Sequence, residues 1–303
     1  MRVKYKLLSI SLLLLLSGGN HGGDAAGQAG RRTNASSSSK ERGVIINVVA
    51  ERLDGSTKRI TGKDFALYDG GIEQAIQSFS PDPSPARIVL LVDNSLSLRA
   101  DVEKLSRATR EFAYEIYEGD QVLVVGYDEN AEIISDWTDD AKKIEAALPQ
   151  FRKRGEPHLF DALRAVINEA LMPFADANRK RVIVLVADGL DRGSKTKFQE
   201  ILEELQSQDI TVYALQIPDR TGGAFRRDRP KPSQVIEKLV EGTGGRILTV
   251  NEPGEAAKSI CDELRKNRYI LAYQPTSYAL TESRRLLLLP NEGIQSRSKL
   301  MIK

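Results

Sequence analysis

Four runs of branched apolar residues, each separated from the next by helix-forming sequence, constrain this chain most. They are Arg87–Val92, Asp120–Tyr127, Arg181–Ala187 and Ile210–Ile217. Ile88–Val92 has no polar member, the mark of a strand covered on both faces. Between the runs lie segments with helical spacing, such as Arg99–Tyr117 with Val102, Leu105, Ala108, Phe112, Ala113 and Ile116. Strands of this kind alternating with amphipathic helices predict an α/β domain with a doubly wound, mostly parallel sheet. Ala131–Ser135 reads as an antiparallel edge strand. The helices read as Thr138–Leu148, Leu159–Phe174, Ser194–Gln206, Pro232–Glu241 and Glu255–Lys266, with a short strand at Gly245–Val250.

Open sheets of this class place ligand sites at the carboxyl ends of their strands. The first apolar run ends there in Asp93, Asn94, Ser95, Leu96 and Ser97. One carboxylate and two hydroxyls at alternate positions are hard oxygen ligands, suited to Mg²⁺, Ca²⁺ or Mn²⁺. The competing reading of the same residues is a turn that caps the following helix. The third run ends in Asp188-Gly189, with Asp191 close behind.

The flanks have a different texture. Gly43–Ser80 reads as short strands: Val44–Glu51, then Ala66–Tyr68 after a turn at Thr61–Phe65. After Asp69-Gly70-Gly71 comes Glu73–Phe79, with Ala75, Gln77 and Phe79 on one face. Pro81, Pro83 and Pro85 form a semi-rigid linker. Beyond Arg268, Tyr269–Tyr273, Arg285–Leu289 and Lys299–Ile302 again read as strands. The expected organisation is an N-terminal β module at 43–80, the linker at 81–85 and the α/β domain at 86–252. A helix and strands at 253–303 would join the N-terminal module in a β-sandwich-like unit.

Residues 1–29 read as a signal peptide. Arg2, Lys4 and Lys6 precede the apolar stretch Leu7–Leu16, and small residues lead to a cleavage point near Ala29. The polar, Ser-rich stretch 30–42 follows as a spacer. A secreted or periplasmic location is expected, with a retained N-terminal anchor as the alternative. The apolar stretch is too short to span a bilayer comfortably, so no transmembrane span is expected in the mature chain.

Composition removes several functions. The 303 residues carry 44 Lys and Arg against 42 Asp and Glu, which gives no electrostatic footprint for nucleic acid. A single cysteine, Cys261, supports no internal disulfide and reads as a packed hydrophobe. With only His21 and His158, histidine-built zinc sites are disfavoured, and a Ser-His-Asp triad would depend on His158. No phosphate-cradling glycine motif follows a strand. Trp137 reads as a hydrophobic staple at a helix start, and Gly222–Pro232 as a basic, solvated loop.

The D-x-S-x-S of Asp93, Ser95 and Ser97, the strand order and Asp188-Gly189 together resemble the von Willebrand factor type A family and its metal-ion-dependent adhesion site. Gly155-Glu156-Pro157-His158-Leu159-Phe160-Asp161-Ala162 is similar to the family's loop that supplies a threonine hydroxyl, but Pro157 stands at that position. Asp64–Gly71, Ile76–Ser80 and Arg268–Pro275 resemble flanking elements of a secreted bacterial branch first described from acidobacteria. Leu96 and Leu98 depart from that branch's glycine and methionine.

The resemblance implies a Rossmann-like fold and a non-enzymatic protein-binding module. Its divalent cation would be held by Asp93, Ser95, Ser97 and Asp188. Glu156, His158, Asp161 and Asp191 are additional candidates. Mg²⁺ is the expected cation, with Mn²⁺ or Ca²⁺ as alternatives, and a partner protein would supply an acidic side chain. The rivals are a metal-free scaffold in the bacterial envelope that binds through its loops, and a hydrolase with a metal-activated water.

Overall fold

The computed structural model describes residues 43–173, 179–218, 231–276 and 283–302. The signal and spacer readings therefore lie outside the described residues, as does almost all of the basic 222–232 loop.

The chain begins with β1 (Val44–Arg52), β2 (Phe65–Asp69), β3 (Ile72–Gln74) and β4 (Ile76–Pro81). It continues through β5 (Ala86–Asp93), α1 (Val102–Glu115), β6 (Gln121–Tyr127), β7 (Ala131–Thr138) and α2 (Ala141–Ala147). Then come α3 (Leu159–Ala165), prolonged by a π-helical segment over Val166–Leu171, and β8 (Lys180–Ala187). Next are α4 (Phe198–Ser207), β9 (Ile210–Gln216), α5 (Pro232–Thr243), β10 (Ile247–Thr249) and α6 (Pro253–Lys266). The last strands are β11 (Arg268–Tyr273), β12 (Arg284–Pro290), β13 (Ile294–Ser298) and β14 (Met301–Ile302).

The central sheet has the order β10-β9-β8-β5-β6-β7. Its pairings are parallel except at β7, which is antiparallel to β6 and forms one edge. Both faces are covered, as the unbroken apolar runs require. On one face Ile88, Leu90, Val92, Val122 and Val184 meet α1, α2 and α6. On the other, Val89, Leu91, Leu123, Ile183 and Leu185 meet α3, α4 and α5. From β5 the chain runs to β6 and β7 on one side, then crosses back to β8 on the other. The order therefore reverses beside β5, and a crevice opens beyond its carboxyl end.

The terminal strands build two antiparallel four-stranded sheets, β13-β1-β11-β4 and β14-β12-β2-β3. Ile46, Val48, Leu271 and Tyr273 from the first enclose a core with Phe65, Leu67 and Leu286 from the second. The expected sandwich-like arrangement of N- and C-terminal strands is thus present.

Several details depart from expectation. Glu73–Phe79 is two strands, because the chain leaves β3 in one sheet and enters β4 in the other at Ala75. Gln74 is buried and Ala75 and Gln77 are exposed, while Ile76 and Phe79 pack against the sandwich core. Residues 253–266 touch the terminal strands where Glu263 meets Arg297 of β13, but their apolar face turns elsewhere. The α6 stripe of Ala256, Ala257, Ile260, Cys261 and Leu264 packs on the central sheet, so this helix completes the α/β layer. Two helices start late: Asp140 caps α2, its carboxylate accepting from the Lys142 amide at 3.0 Å, and α4 begins at Phe198. Trp137 is no staple; it lies in β7 with the Arg87 guanidinium 5.7 Å above its ring. Cys261 is a buried, free thiol, as its spacing suggested.

Candidate functional site

The residues at the carboxyl edge converge because β5, β6 and β8 run parallel and end together. The register places Asp93 opposite Tyr127. Asp93 is fully buried. Its Oδ1 accepts the Ser95 amide at 2.9 Å, an Asx turn that bends the chain out of the strand. Its Oδ2 accepts the Tyr127 hydroxyl at 3.3 Å. The Ser95 and Ser97 hydroxyls are 3.2 Å apart, on the same side of the loop.

Asp188 follows β8 and is also buried. Its Oδ1 accepts the Leu190 amide at 2.8 Å. Gly189 between them has φ +87°, and a Cβ there would lie 2.2 Å from the Pro232 carbonyl oxygen. Only glycine fits this turn beneath α5.

Electrostatics set Asp93 apart. Burial, aided by the Asp188 charge and resisted by hydrogen bonds from Ser95 and Tyr127, pushes its carboxyl up to about 6. The Tyr127 hydroxyl is pushed well above its ordinary value by burial, then by Asp93 and Asp188, with Asp191 adding to them. The groups acting most strongly on Asp93 are thus two hydroxyl residues and a second carboxylate, none of them cationic. Buried like charges of this kind are costly unless a cation or a proton neutralises them.

The neighbouring loop is tied to the Asp93 loop by its backbone. The Leu96 amide donates to the Gly155 carbonyl at 3.1 Å and the Arg154 amide to that of Asn94 at 3.0 Å. Asn94 Nδ2 reaches the Arg152 carbonyl at 3.1 Å. Pro157 is buried, and its carbonyl accepts the Arg192 amide at 2.7 Å.

The remaining candidates have other engagements. Glu156 makes an ion pair with Arg192 at 3.2 Å. His158 lies over Gly193, where a Cβ would come within 2.6 Å of its Nε2. Asp161 accepts the amides of Lys195 and Thr196, each at 2.9 Å. Burial raises the Asp161 carboxyl, but hydrogen bonds from Thr196 and Lys195 and the nearby His158 outweigh it, leaving it below the usual range. Asp191 Oδ1 accepts the Ser194 hydroxyl at 2.5 Å and the Phe160 amide at 3.3 Å. Asp93, Ser95 and Ser97 thus share one loop with Asp188 acting on it across the edge, whereas Glu156 and Asp161 are held by their own partners.

Among the described residues, no group of three or more His, Cys, Asp or Glu is arranged to hold a metal ion. Any cation here would rest on Asp93 and Asp188 together with hydroxyl and water oxygens. That donor set fits a hard divalent ion, because two buried carboxylates lie beside each other with hydroxyls adjoining. Tyr127 is the residue that motif reading misses. Its signal was available, since Asp120–Tyr127 and Arg87–Asp93 are adjacent parallel runs that end in polar groups.

An open doubly wound sheet with an Asp-x-Ser-x-Ser loop at its carboxyl edge is the architecture of a type A-like α/β fold. Residues 88–190, about a third of the chain, match the family model described as the von Willebrand factor type A domain. No curated protein matches the chain.

Among solved structures, the chain is similar to a von Willebrand factor type A protein from Catenulispora acidiphila. They share 12% identity over 81% of this chain and 75% of that one, with a TM-score of 0.48. It is also similar to an aerotolerance-related membrane protein from Bacteroides fragilis NCTC 9343, at 22% identity over 60% of this chain and 99% of that one, with a TM-score of 0.46. BatB from Bacteroides thetaiotaomicron gives 18% identity over 60% and 98%, with a TM-score of 0.45. These are likenesses of fold. No helix among the described residues is long and apolar enough to cross a membrane.

Proposed function

We propose that this protein is a non-enzymatic binding module of the bacterial envelope or exterior. In this reading a divalent cation held by Asp93, Asp188, Ser95 and Ser97 captures an acidic side chain of a partner protein. The observation that carries it is the buried Asp93 carboxyl, raised by burial and by Asp188 and met by no cationic group among its strongest influences. A cation supplies the missing positive charge and holds a coordination position open for a carboxylate. The chain's own residues do the rest. The Ser95 amide and Tyr127 hydroxyl orient Asp93, the Leu190 amide orients Asp188, and the backbone ties to Gly155 and Arg152 hold the loop in place. Mg²⁺ is the proposed ion, with Mn²⁺ and Ca²⁺ as alternatives, and water completes its shell.

The test is calorimetric titration of the protein with each ion, alongside Asp93→Ala. Saturable heat that disappears in the variant supports the reading; no heat and no thermal shift at millimolar ion would sink it. A second reading, a metal-free scaffold that binds through its loops, is favoured by Pro157, which offers no side-chain oxygen where the resemblance calls for a threonine.

A further inference from the structure

The loop that carries Ser95 and Ser97 presents two features the cation site itself does not use. Leu96, between the two serines, is 67% exposed. Its amide is held by the Gly155 carbonyl, so the side chain is displayed from a fixed backbone. A single exposed leucine is ordinary on a protein surface; what sets Leu96 apart is its place on a fixed backbone between Ser95 and Ser97.

The second feature is charge. Arg99, three residues on, and Arg152, whose carbonyl holds Asn94, are both exposed. Neither has an ion pair or side-chain hydrogen bond among the described residues. Lys153 donates to the carbonyls of Leu98 and Ala100, on either side of Arg99, which brings the two loops side by side, and among the described residues it has no ion pair. The arginines further along are neutralised: Arg154 by Asp128 and Glu132, Arg192 by Glu156. Opposing charge on this rim comes from Asp101, whose carboxylate caps the Lys104 amide of α1 at 2.8 Å, and from Glu129 beside Gly155.

We infer that Leu96, Arg99 and Arg152 form a recognition rim that selects an acidic peptide segment bearing an apolar side chain and a second carboxylate beside the one that enters the site. The inference rests on the cation-site reading for that first carboxylate, but the rim residues are separate from the site's ligands. Leu96 covers the apolar side chain, removing both from water. Arg99 and Arg152 attract the second carboxylate and speed encounter with acidic partners. A basic or purely polar segment gains neither contact.

The probe is an array of acetylated hexapeptides that holds one central Asp and varies its neighbours among Gly, Leu, Glu and Lys, read in excess Mg²⁺. Peptides with both Leu and Glu should bind about tenfold more tightly than the all-Gly peptide, a preference that falls with salt, and Lys-bearing ones more weakly. Arg99→Gln with Arg152→Gln should erase the Glu preference, and Leu96→Gln the Leu preference. Both should leave the all-Gly peptide and the thermal unfolding temperature unchanged. Equal binding across the array, or preferences that survive these substitutions, would overturn the rim. Preferences that persist in EDTA and in Asp93→Ala would leave the rim standing and remove the cation reading. Heat on Mg²⁺ titration with no peptide bound would do the reverse.

Discussion

Glu263 and Asp93, two of the buried carboxylates among the described residues, sit in opposite circumstances. Glu263 on α6 lies where the central sheet meets the terminal strands. It accepts the Tyr213 hydroxyl at 2.6 Å and meets the guanidinium groups of Arg246 at 3.1 Å and Arg297 at 2.5 Å. Asp93 is as deeply buried, yet it receives a backbone amide and a hydroxyl and faces a second carboxylate. The first charge is neutralised from within the chain, whereas no cationic group is among the strongest influences on the second, and the proposed cation would supply that charge. A fold keeps an uncompensated buried charge only where another function offsets the cost.

The largest effect follows from the compensated carboxylate. Glu263→Ala strands two arginines in a partly dry junction and should cost about 3–5 kcal/mol, read by urea unfolding. A loss below about 1 kcal/mol would mean that water reaches both guanidinium groups, and the contrast with Asp93 would blur.

Asp93 should respond in the opposite sense. Its folded-state carboxyl stands near 6, above its unfolded value of 3.8. The folded protein therefore holds the proton more tightly. Without divalent ions, stability falls as pH rises from about 4 through 6, by up to ~3 kcal/mol. Asp93→Asn should flatten that part of the profile and be no less stable than the parent above pH 6 in EDTA. Mg²⁺ should restore stability to the parent above pH 6 and do nothing for the variant. A parent more stable than Asp93→Asn at neutral pH in EDTA would show that Asp93 already has its countercharge.

Asp161 sharpens the contrast within one sheet edge. It resembles a ligand in sequence but accepts two loop amides, which lower its carboxyl. Its contribution is present above its unfolded value and lost as pH falls below it. Asp161→Ala should cost about 1–2 kcal/mol of stability and leave the heat of cation titration unchanged. Lost cation heat in a folded variant would move Asp161 into the site.

How far the sequence reveals these differences depends on range. Strand runs such as Ile88–Val92 are legible because burial on both faces leaves a continuous apolar signature. The Asp93–Ser97 loop is legible because its spacing is local. Less is visible where tertiary geometry decides. Glu73–Phe79 alternates like one strand, and no local residue announces that the chain changes sheets at Ala75. The strand at Ile294–Ser298 has no legible apolar pattern, because Gln295 and Arg297 interrupt it while pairing with β1. The role of Tyr127 depends on a strand register, and that of Asp161 on amides 34 and 35 positions away. Helix starts slipped at Thr138 and Ser194 because both residue types can cap; Thr138 instead ends β7 and accepts the Asp140 amide at 3.1 Å.

Pro157 gives the smallest effect and the most exacting test of the comparison. If Asp93 and Asp188 form a site that lacks one oxygen, Pro157→Thr should raise cation affinity by roughly 1 kcal/mol, about fivefold. The backbone is compatible with the change, because the Pro157 carbonyl, which any residue supplies, already holds the Arg192 amide. Proline also restricts the unfolded chain, so its removal should cost about 0.4–1 kcal/mol of stability without cation. The two effects have opposite signs, which separates them: the variant should unfold earlier in EDTA and recover in Mg²⁺. Tighter binding without the stability loss would mean that the loop relaxed rather than gained a ligand. No gain in affinity would mean that the buried Pro157 position does not face the ion, and water would then hold that place in the parent as well.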